Sequence, residues 1–142
     1  MEGSRGLGDV YKRQDKRWPF ENYLKVIEYL TNKKIRCYII GGKDEKDIEK
    51  MIPTNKYIIN LINSSPWEYV KKIALKSKIT ISNDTSAMHF ISNLNLPVIA
   101  IMKDNIYAFR NRPLSDNSII IKNKNINDIP TKRVITALSK YV

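Results

Sequence analysis

Between residues 79 and 89 the chain reads Ile79-Thr80-Ile81-Ser82-Asn83-Asp84-Thr85-Ser86-Ala87-Met88-His89. A short β-branched run gives way to a polar elbow and then to an amphipathic segment. That is the order of a strand, a tight loop and a helix. The spacing predicts Asp84 as the helix N-cap, with Thr85 and Ser86 in the first turn. The unpaired N–H groups and the positive dipole end of such a helix face the elbow, where they suit an anion such as a phosphate. His89 falls one turn later and can lean back toward the same point. The plainer use of these residues stands beside this one. Asp and Thr are ordinary caps, and a single histidine more often belongs to a surface or a core than to a ligand site.

The elements on either side must hold this elbow in place. Pro19 suits the first position of a helix, and Phe20, Tyr23, Leu24, Ile27 and Leu30 follow as an i, i+3, i+4 stripe. Residues 35–40 read as a buried strand stopped by Gly41-Gly42. Residues 44–52 read as a short charged helix ended by Pro53, and 57–61 as a second strand. Pro66 opens a helix with Trp67, Val70, Ile73 and Ala74 inward. A third strand spans 79–82, a helix about 85–94, a fourth strand 97–102 and a fifth 118–121, with a polar stretch at 103–117. A last helix begins at Asp128-Ile129-Pro130, with Val134, Ile135, Leu138 and Tyr141 on one face. Five alternations of strand and helix imply an α/β domain, a Rossmann-like parallel sheet with helices on both faces. Ligands in that architecture bind beyond the carboxyl ends of the strands, where Gly41-Gly42, Ser64-Ser65, residues 83–86 and the loop after Met102 all fall.

Composition bounds the function. A chain of 142 residues, 42% of them hydrophobic, is one domain with a real core. It contains no apolar run of about 18 residues and no apolar leader segment. Cys37 sits inside an apolar strand and reads as a small buried hydrophobe in a reducing compartment. Lys and Arg number 25 against 14 Asp and Glu, a net charge of +11. That balance suits anionic partners. A chain this rich in Asn, Ile and Lys also gains positive charge from compositional bias alone. No interleaving of basic and aromatic residues points to nucleic acid, and no metal-ligand spacing is present.

Residues 1–14 differ from the rest. They are glycine-rich, lack a strand-length apolar run and resemble a translated sequencing adapter. They read as a non-native tail, leaving 15–142 as the folded unit.

The elbow and the segments around it resemble glycosyltransferase family 9, the heptosyltransferases. Asp84-Thr85-Ser86-Ala87-Met88-His89 followed by Leu94-Asn95-Leu96-Pro97-Val98-Ile99-Ala100-Ile101 is similar to the family's Asp-Thr-Gly-x-x-His and Lys/Leu-Pro-Val-x-Ala. Asp15-Lys16-Arg17-Trp18-Pro19 looks like its Lys-x-Trp-Pro. Ile39-Ile40-Gly41-Gly42-Lys43-Asp44-Glu45 looks like its strand ending in Gly-Gly with an acidic residue behind. Arg112-Pro113-Leu114-Ser115 resembles a Trp-x-Pro-Leu-Ser variant. The four matches occur in order.

The resemblance implies the C-terminal, donor-binding half of a two-domain GT-B enzyme. It implies a nucleotide-sugar substrate such as ADP-heptose, a lipopolysaccharide core or related glycolipid as acceptor, and no cofactor or metal. It implies a cytoplasmic protein, peripheral to the inner face of a bacterial membrane. Lys16 and Thr85 then lie near the diphosphate, Asp84 near the donor sugar and phosphates, Glu45 near the ribose and Ser65 near the base. Ser86 stands where the family has glycine, and His89 completes the motif. Gly6-Leu7-Gly8-Asp9-Val10 also resembles the family's first loop, which carries the expected catalytic base. Here it follows five residues and precedes no domain, and the match reads as coincidence. The expected base therefore belongs to an N-terminal acceptor domain absent from this sequence. Two further readings stand: a Rossmann-like nucleotide-binding module without transferase activity and, less favoured, a basic nucleic-acid binder.

Overall fold

The computed structural model describes residues 17–42 and 46–142. Expectations about residues 1–14, Lys16 and Glu45 therefore lie outside the described residues. In chain order the elements are α1 (Phe20–Asn32), β1 (Cys37–Gly41), α2 (Lys46–Glu49), β2 (Ile58–Ile62), α3 (Trp67–Lys76) and β3 (Thr80–Asn83). They continue with α4 (Ser86–Asn93), β4 (Val98–Lys103), β5 (Ile119–Asn123), a 3-10 turn (Ile126–Asp128) and α5 (Thr131–Leu138). All the paired strands are parallel. β1 pairs with β2 in the register Cys37↔Ile58, β3 with β4 as Thr80↔Val98, and β4 with β5 as Ile99↔Ile119.

Alternation along the strands divides the core between two faces. In β4, Ile99 and Ile101 point to one side with Ile39, Ile81 and Ile121, against Val26, Ile27, Val134 and Leu138 of α1 and α5. Val98, Ala100 and Met102 point to the other, against Val70 and Ala74 of α3 and Met88 and Ile91 of α4. A strand covered on both faces reads as a continuous apolar run rather than an alternating one. That is why the strands were visible in the sequence, and helices on both faces follow. The ladders start where the first sheet bonds form. The Cys37 N–H donates to Tyr57 O at 2.8 Å and the Thr80 N–H to Pro97 O at 3.4 Å, so strands start one or two residues later than expected.

Pro19, Pro66 and Pro130 each precede a helix, and each occupies the N-cap with an extended ψ (138°, 161° and 147°) rather than the first helical turn. Val70, Ile73 and Ala74 of α3 are buried as expected, but Trp67 is 47% exposed. Sitting first in the helix, it meets the Phe90 ring of α4 at a 46° tilt with centroids 4.8 Å apart instead of entering the core. Trp18, by contrast, is a core anchor. It is 2% exposed, its Nε1–H donates to Ile129 O at 2.9 Å, and it meets the Tyr23 ring edge-on at 5.0 Å.

Helices α1 and α4 end alike. The Lys34 N–H donates to Thr31 O and the Ile35 N–H to Leu30 O. The Asn95 N–H donates to Ser92 O and the Leu96 N–H to Ile91 O. The residue after each C-cap is left-handed, Lys34 at φ 62° and Asn95 at φ 57°, as this closing motif requires. Asparagine is enriched in that region, whereas lysine enters it at a steric cost. Lys34→Gly is expected to stabilise the fold by roughly 0.5–1 kcal/mol, read as a higher urea midpoint.

Cys37 is buried, as expected, and burial pushes its thiol above the ordinary range. A raised pKa means that the folded state holds the proton more tightly. The corresponding stability is complete below the ordinary thiol pKa and is lost as pH rises through the raised one. Alkylation of Cys37 by iodoacetamide at pH 8.5 is expected to be at least about tenfold slower in native protein than in guanidinium; equal rates would contradict the burial.

Candidate functional site

The carboxyl ends of the strands bring the elbow together. β3 ends at Asn83, Asp84 follows, and α4 starts at Ser86. The N-cap is Thr85, one residue later than predicted. Its backbone is extended (φ −137°, ψ 166°) and its Oγ1 accepts from the Met88 N–H at 3.2 Å. A buried relay explains the shift. Thr85 Oγ1 lies 3.0 Å from Ser82 Oγ, and the Ser82 hydroxyl donates to Asn83 O at 2.8 Å. With the Ser82 hydrogen on Asn83 and the Met88 N–H on Thr85, the remaining hydrogen runs from Thr85 to Ser82. Ser82, Asn83 and Thr85 are all buried, so each polar atom needs such a partner.

Asn83 ties the elbow to two other elements. Its Oδ1 accepts from the Tyr23 hydroxyl at 2.7 Å, and its Nδ2 donates to Ile101 O at 2.9 Å. The start of α1, the end of β3 and the end of β4 are thereby locked together.

Freed from capping, the Asp84 carboxylate is held from two sides. His89 Nε2 lies 2.9 Å from Oδ1, and Asn111 Nδ2 donates to Oδ2 at 3.2 Å. The Asp84 side chain is 12% exposed and that of His89 42%, so the pair sits at the surface of the sheet edge. His89 leans back toward the elbow, as its spacing allows. The Ser86 and Ala87 N–H groups at the start of α4 have no partner among the described residues. Ser86 itself is exposed, so its Cβ does not crowd the core where the family motif has glycine. Such donors and the helix dipole suit an anion in general, here beside a carboxylate. Each carboxylate oxygen keeps a second lone pair able to accept a hydroxyl.

Ser65 lies on the same edge, between β2 and α3, with its hydroxyl donated to Leu61 O at 3.0 Å. No hydrogen bond joins it to the Asp84–His89 pair among the described residues. Lys103, Asn105, Tyr107 and Asn111 enclose a notch of about 10 Å³ against Asp84, room for one water at most. A larger ligand must lie above the notch or move the loop.

The loop from 104 to 118 is the other wall. The Ser92 hydroxyl accepts the N–H groups of Leu114 and Ser115 at 2.9 and 3.1 Å, and Asn95 and Asp116 exchange two bonds. This is the structural use of the Pro113-Leu114-Ser115 stretch. Ile106, Tyr107, Phe109 and Leu114 stay exposed, and Arg112 lies 3.7 Å from the Phe109 ring centroid. Sequence reasoning did not single out Tyr23 or Asn111 for the site, nor Asn83 for its bridging amide. Asn83 alone left a signal, a polar residue closing a β-branched run.

A family model described as glycosyltransferase family 9 (heptosyltransferase) matches residues 10–142. The chain belongs to glycosyltransferase family 9. The match begins five residues inside the segment set aside as a tail. Lipooligosaccharide heptosyltransferase 2 of Haemophilus ducreyi is 27% identical over 115 residues, covering 75% of this chain and 33% of that protein. Its Haemophilus influenzae counterpart is 26% identical over 113 residues, 75% and 32%. The chain thus spans about a third of the length of these curated relatives. Among solved structures, E. coli heptosyltransferase WaaC with ADP superposes with TM-score 0.81 at 18% identity, covering 99% of this chain and 43% of that one. E. coli ADP-heptose lps heptosyltransferase II gives 0.78 at 21%, covering 89% and 42%. At these identities the superpositions establish the fold alone, a Rossmann-like α/β architecture. No helix among the described residues is long and apolar enough to cross a membrane.

The relay and the Asn83 bridge predict specific losses. Thr85→Val removes the acceptor for the Met88 N–H and is expected to cost about 1–2 kcal/mol, while Thr85→Ser restores most of it. Tyr23→Phe leaves the Asn83 Oδ1 without its phenol donor, at about 1–3 kcal/mol. Urea denaturation reads both; unchanged midpoints would mean that the buried network contributes nothing.

Proposed function

We propose that this chain is the donor-binding half of a heptosyltransferase that moves a sugar, in the first instance heptose from ADP-heptose, onto a lipopolysaccharide core or related surface glycan. The observation that carries this reading is the Asp84 carboxylate, fixed by His89 and Asn111 beside the free N–H groups of α4. The diphosphate lies on the α4 N-terminus, with Thr85 and Ser86 beside it. Asp84 and His89 face the sugar–phosphate junction, Lys16 adds a point charge to the phosphates, Glu45 takes the ribose hydroxyls and Ser65 borders the base. In the reaction an acceptor hydroxyl oxygen bonds to the anomeric carbon and its proton passes to a base. The bond from that carbon to the phosphate oxygen breaks, and its electron pair leaves with ADP. The electrostatic need is to neutralise that departing diphosphate, and the α4 dipole and nearby lysines answer it.

The base and the acceptor site belong to a further domain. Relatives about three times the length of the match support this over a stand-alone nucleotide-binding module. The exposed Ile106, Tyr107 and Phe109, with Arg110 and Arg112 among them, suit a surface covered by such a domain or facing a glycolipid. The acceptor's lipid places the full enzyme against the inner face of the membrane, within the cytoplasm.

Isothermal titration of the chain with ADP is expected to give weak binding, on the order of millimolar, because half the cleft is missing. Asp84→Ala should weaken it further, and Ser86→Gly should strengthen it by allowing closer approach to the phosphate. Equal heats for wild type and Asp84→Ala would place the nucleotide elsewhere. Transfer from ADP-heptose to a lipid A core acceptor should be undetectable with residues 1–142 alone and should appear once a matching N-terminal domain is joined. Turnover by the isolated chain, lost in Asp9→Ala, would refute the assignment of the base to another domain.

A further inference from the structure

An aspartate placed directly before a helix ordinarily gives its carboxylate to that helix. As N-cap, Asp84 would accept the N–H groups two and three residues on. Those are Ser86 and Ala87, the two at the start of α4 that have no partner among the described residues. The carboxylate does not take them. Thr85 caps α4 from the next position and gives its Oγ1 to the Met88 N–H. Two donors thus stay open beside an acceptor that fits them. A carboxylate next to open donors and the positive end of a helix dipole gains by turning toward both, so another contact must hold it off.

His89 alone does not suffice. It engages only Oδ1, at 2.9 Å, and a carboxylate tied by one oxygen can pivot about that tie and bring the other to the helix. The second tie is Asn111, whose Nδ2 donates to Oδ2 at 3.2 Å. A carboxylate offers only acceptors, so the amide must present its nitrogen, and ties on both oxygens fix the carboxylate plane. Asn111 can resist the pull because its own frame is firm. Its N–H donates to Tyr107 O at 2.9 Å. Ala108, in the same turn, is 4% exposed and belongs to the core cluster of Met88 and Met102. Beyond Asn111 the chain hangs from the Ser92 hydroxyl of α4. The restraint on Asp84 and the helix it is kept from therefore share one frame.

We propose that Asn111 is a positioning residue that keeps Asp84 from capping α4, so that the Ser86 and Ala87 N–H groups stay open for the donor diphosphate. What those groups receive rests on the transferase reading above; that Asn111 holds the carboxylate away does not. The free protein thereby forgoes a helix cap at the place where a ligand is to bind, a trade of stability for function. Without Asn111 the carboxylate becomes an internal competitor for the anion. Only the fraction of molecules with Asp84 turned away then binds, and the apparent affinity falls by that fraction.

Amide exchange at Ser86 and Ala87 is followed by NMR in the unchanged 142-residue chain, in Asn111→Ala, in Asp84→Ala and in the double variant. ADP is titrated into each. Asn111→Leu, which keeps the volume without the donor, replaces Asn111→Ala if the loop collapses. Asn111→Ala is expected to slow exchange at Ser86 and Ala87 about tenfold or more and to weaken ADP at least about threefold. Neither effect should appear when Asn111→Ala is added to Asp84→Ala, because the competitor is gone. A merely structural role for Asn111 would speed exchange around the loop and would not depend on Asp84. Three results would overturn the proposal: no slowing in Asn111→Ala, slowing that persists without Asp84, or Ser86 and Ala87 already protected in the unchanged chain. Absence of ADP binding by the unchanged chain would sink the transferase reading, while the exchange data would still decide the role of Asn111. Slowed exchange with ADP affinity unaltered would refute the link to the diphosphate and place the nucleotide away from α4.

Discussion

A single buried amide holds the working end of this domain together. Asn83 closes β3 in the interior, 5% exposed, where donors and acceptors need partners. The answers come from α1 through the Tyr23 phenol and from β4 through the Ile101 carbonyl. Those two bonds set the orientation of the peptide that follows, and with it where Asp84 points. Exchanging Asn83 for an apolar residue of similar size would keep the packing and lose the aim. The local strand, the helix that packs on it and the neighbouring strand would no longer agree on where the elbow lies.

Much of the architecture was legible because parallel strands buried on both faces must be apolar from end to end. Residues 97–102 and 79–82 stood out as strands for that reason, and proline marked the beginnings of α1, α3 and α5. What was not legible depended on partners far away in sequence. Nothing near Asn111 says that its amide will meet a carboxylate 27 residues earlier, and nothing near Tyr23 foretells a bond across 60. The cap slipped by one residue for a related reason. Asp and Thr both cap helices well, and the choice fell to Thr85 because Ser82, pointing inward from β3, was placed to complete its hydrogen bonding. Trp67 was misplaced by the helical stripe because an aromatic at the first helical position can reach sideways to Phe90 rather than inward.

The family motifs also separate into different kinds of work. The tryptophan of Lys16-Arg17-Trp18-Pro19 is structural, pinning the start of α1 to the start of α5. Arg112-Pro113-Leu114-Ser115 is structural as well, hung from Ser92 by two backbone bonds. Among the described residues of these motifs, those around Asp84 place side chains at the exposed edge with hydrogen-bonding capacity to spare. Two of the four matched stretches thus act as fasteners at Trp18 and at Leu114-Ser115, and substitutions there should lower stability before they alter chemistry.

Of the two lone pairs on Asp84 Oδ2, one already serves the Asn111 amide. A ligand hydroxyl that takes that lone pair rather than the open one evicts the amide, exchanging one charge-assisted hydrogen bond for another of similar strength, about 1.5–3 kcal/mol. The exchange is therefore close to neutral for the carboxylate and decisive for the loop. Its attachment near 111 is released while its anchorage at Ser92, on the same helix, persists. The segment from 104 to 112 then becomes a tethered arm whose freedom reports whether the elbow is occupied. Its exposed aromatic and arginine side chains would carry that report to whatever surface lies opposite.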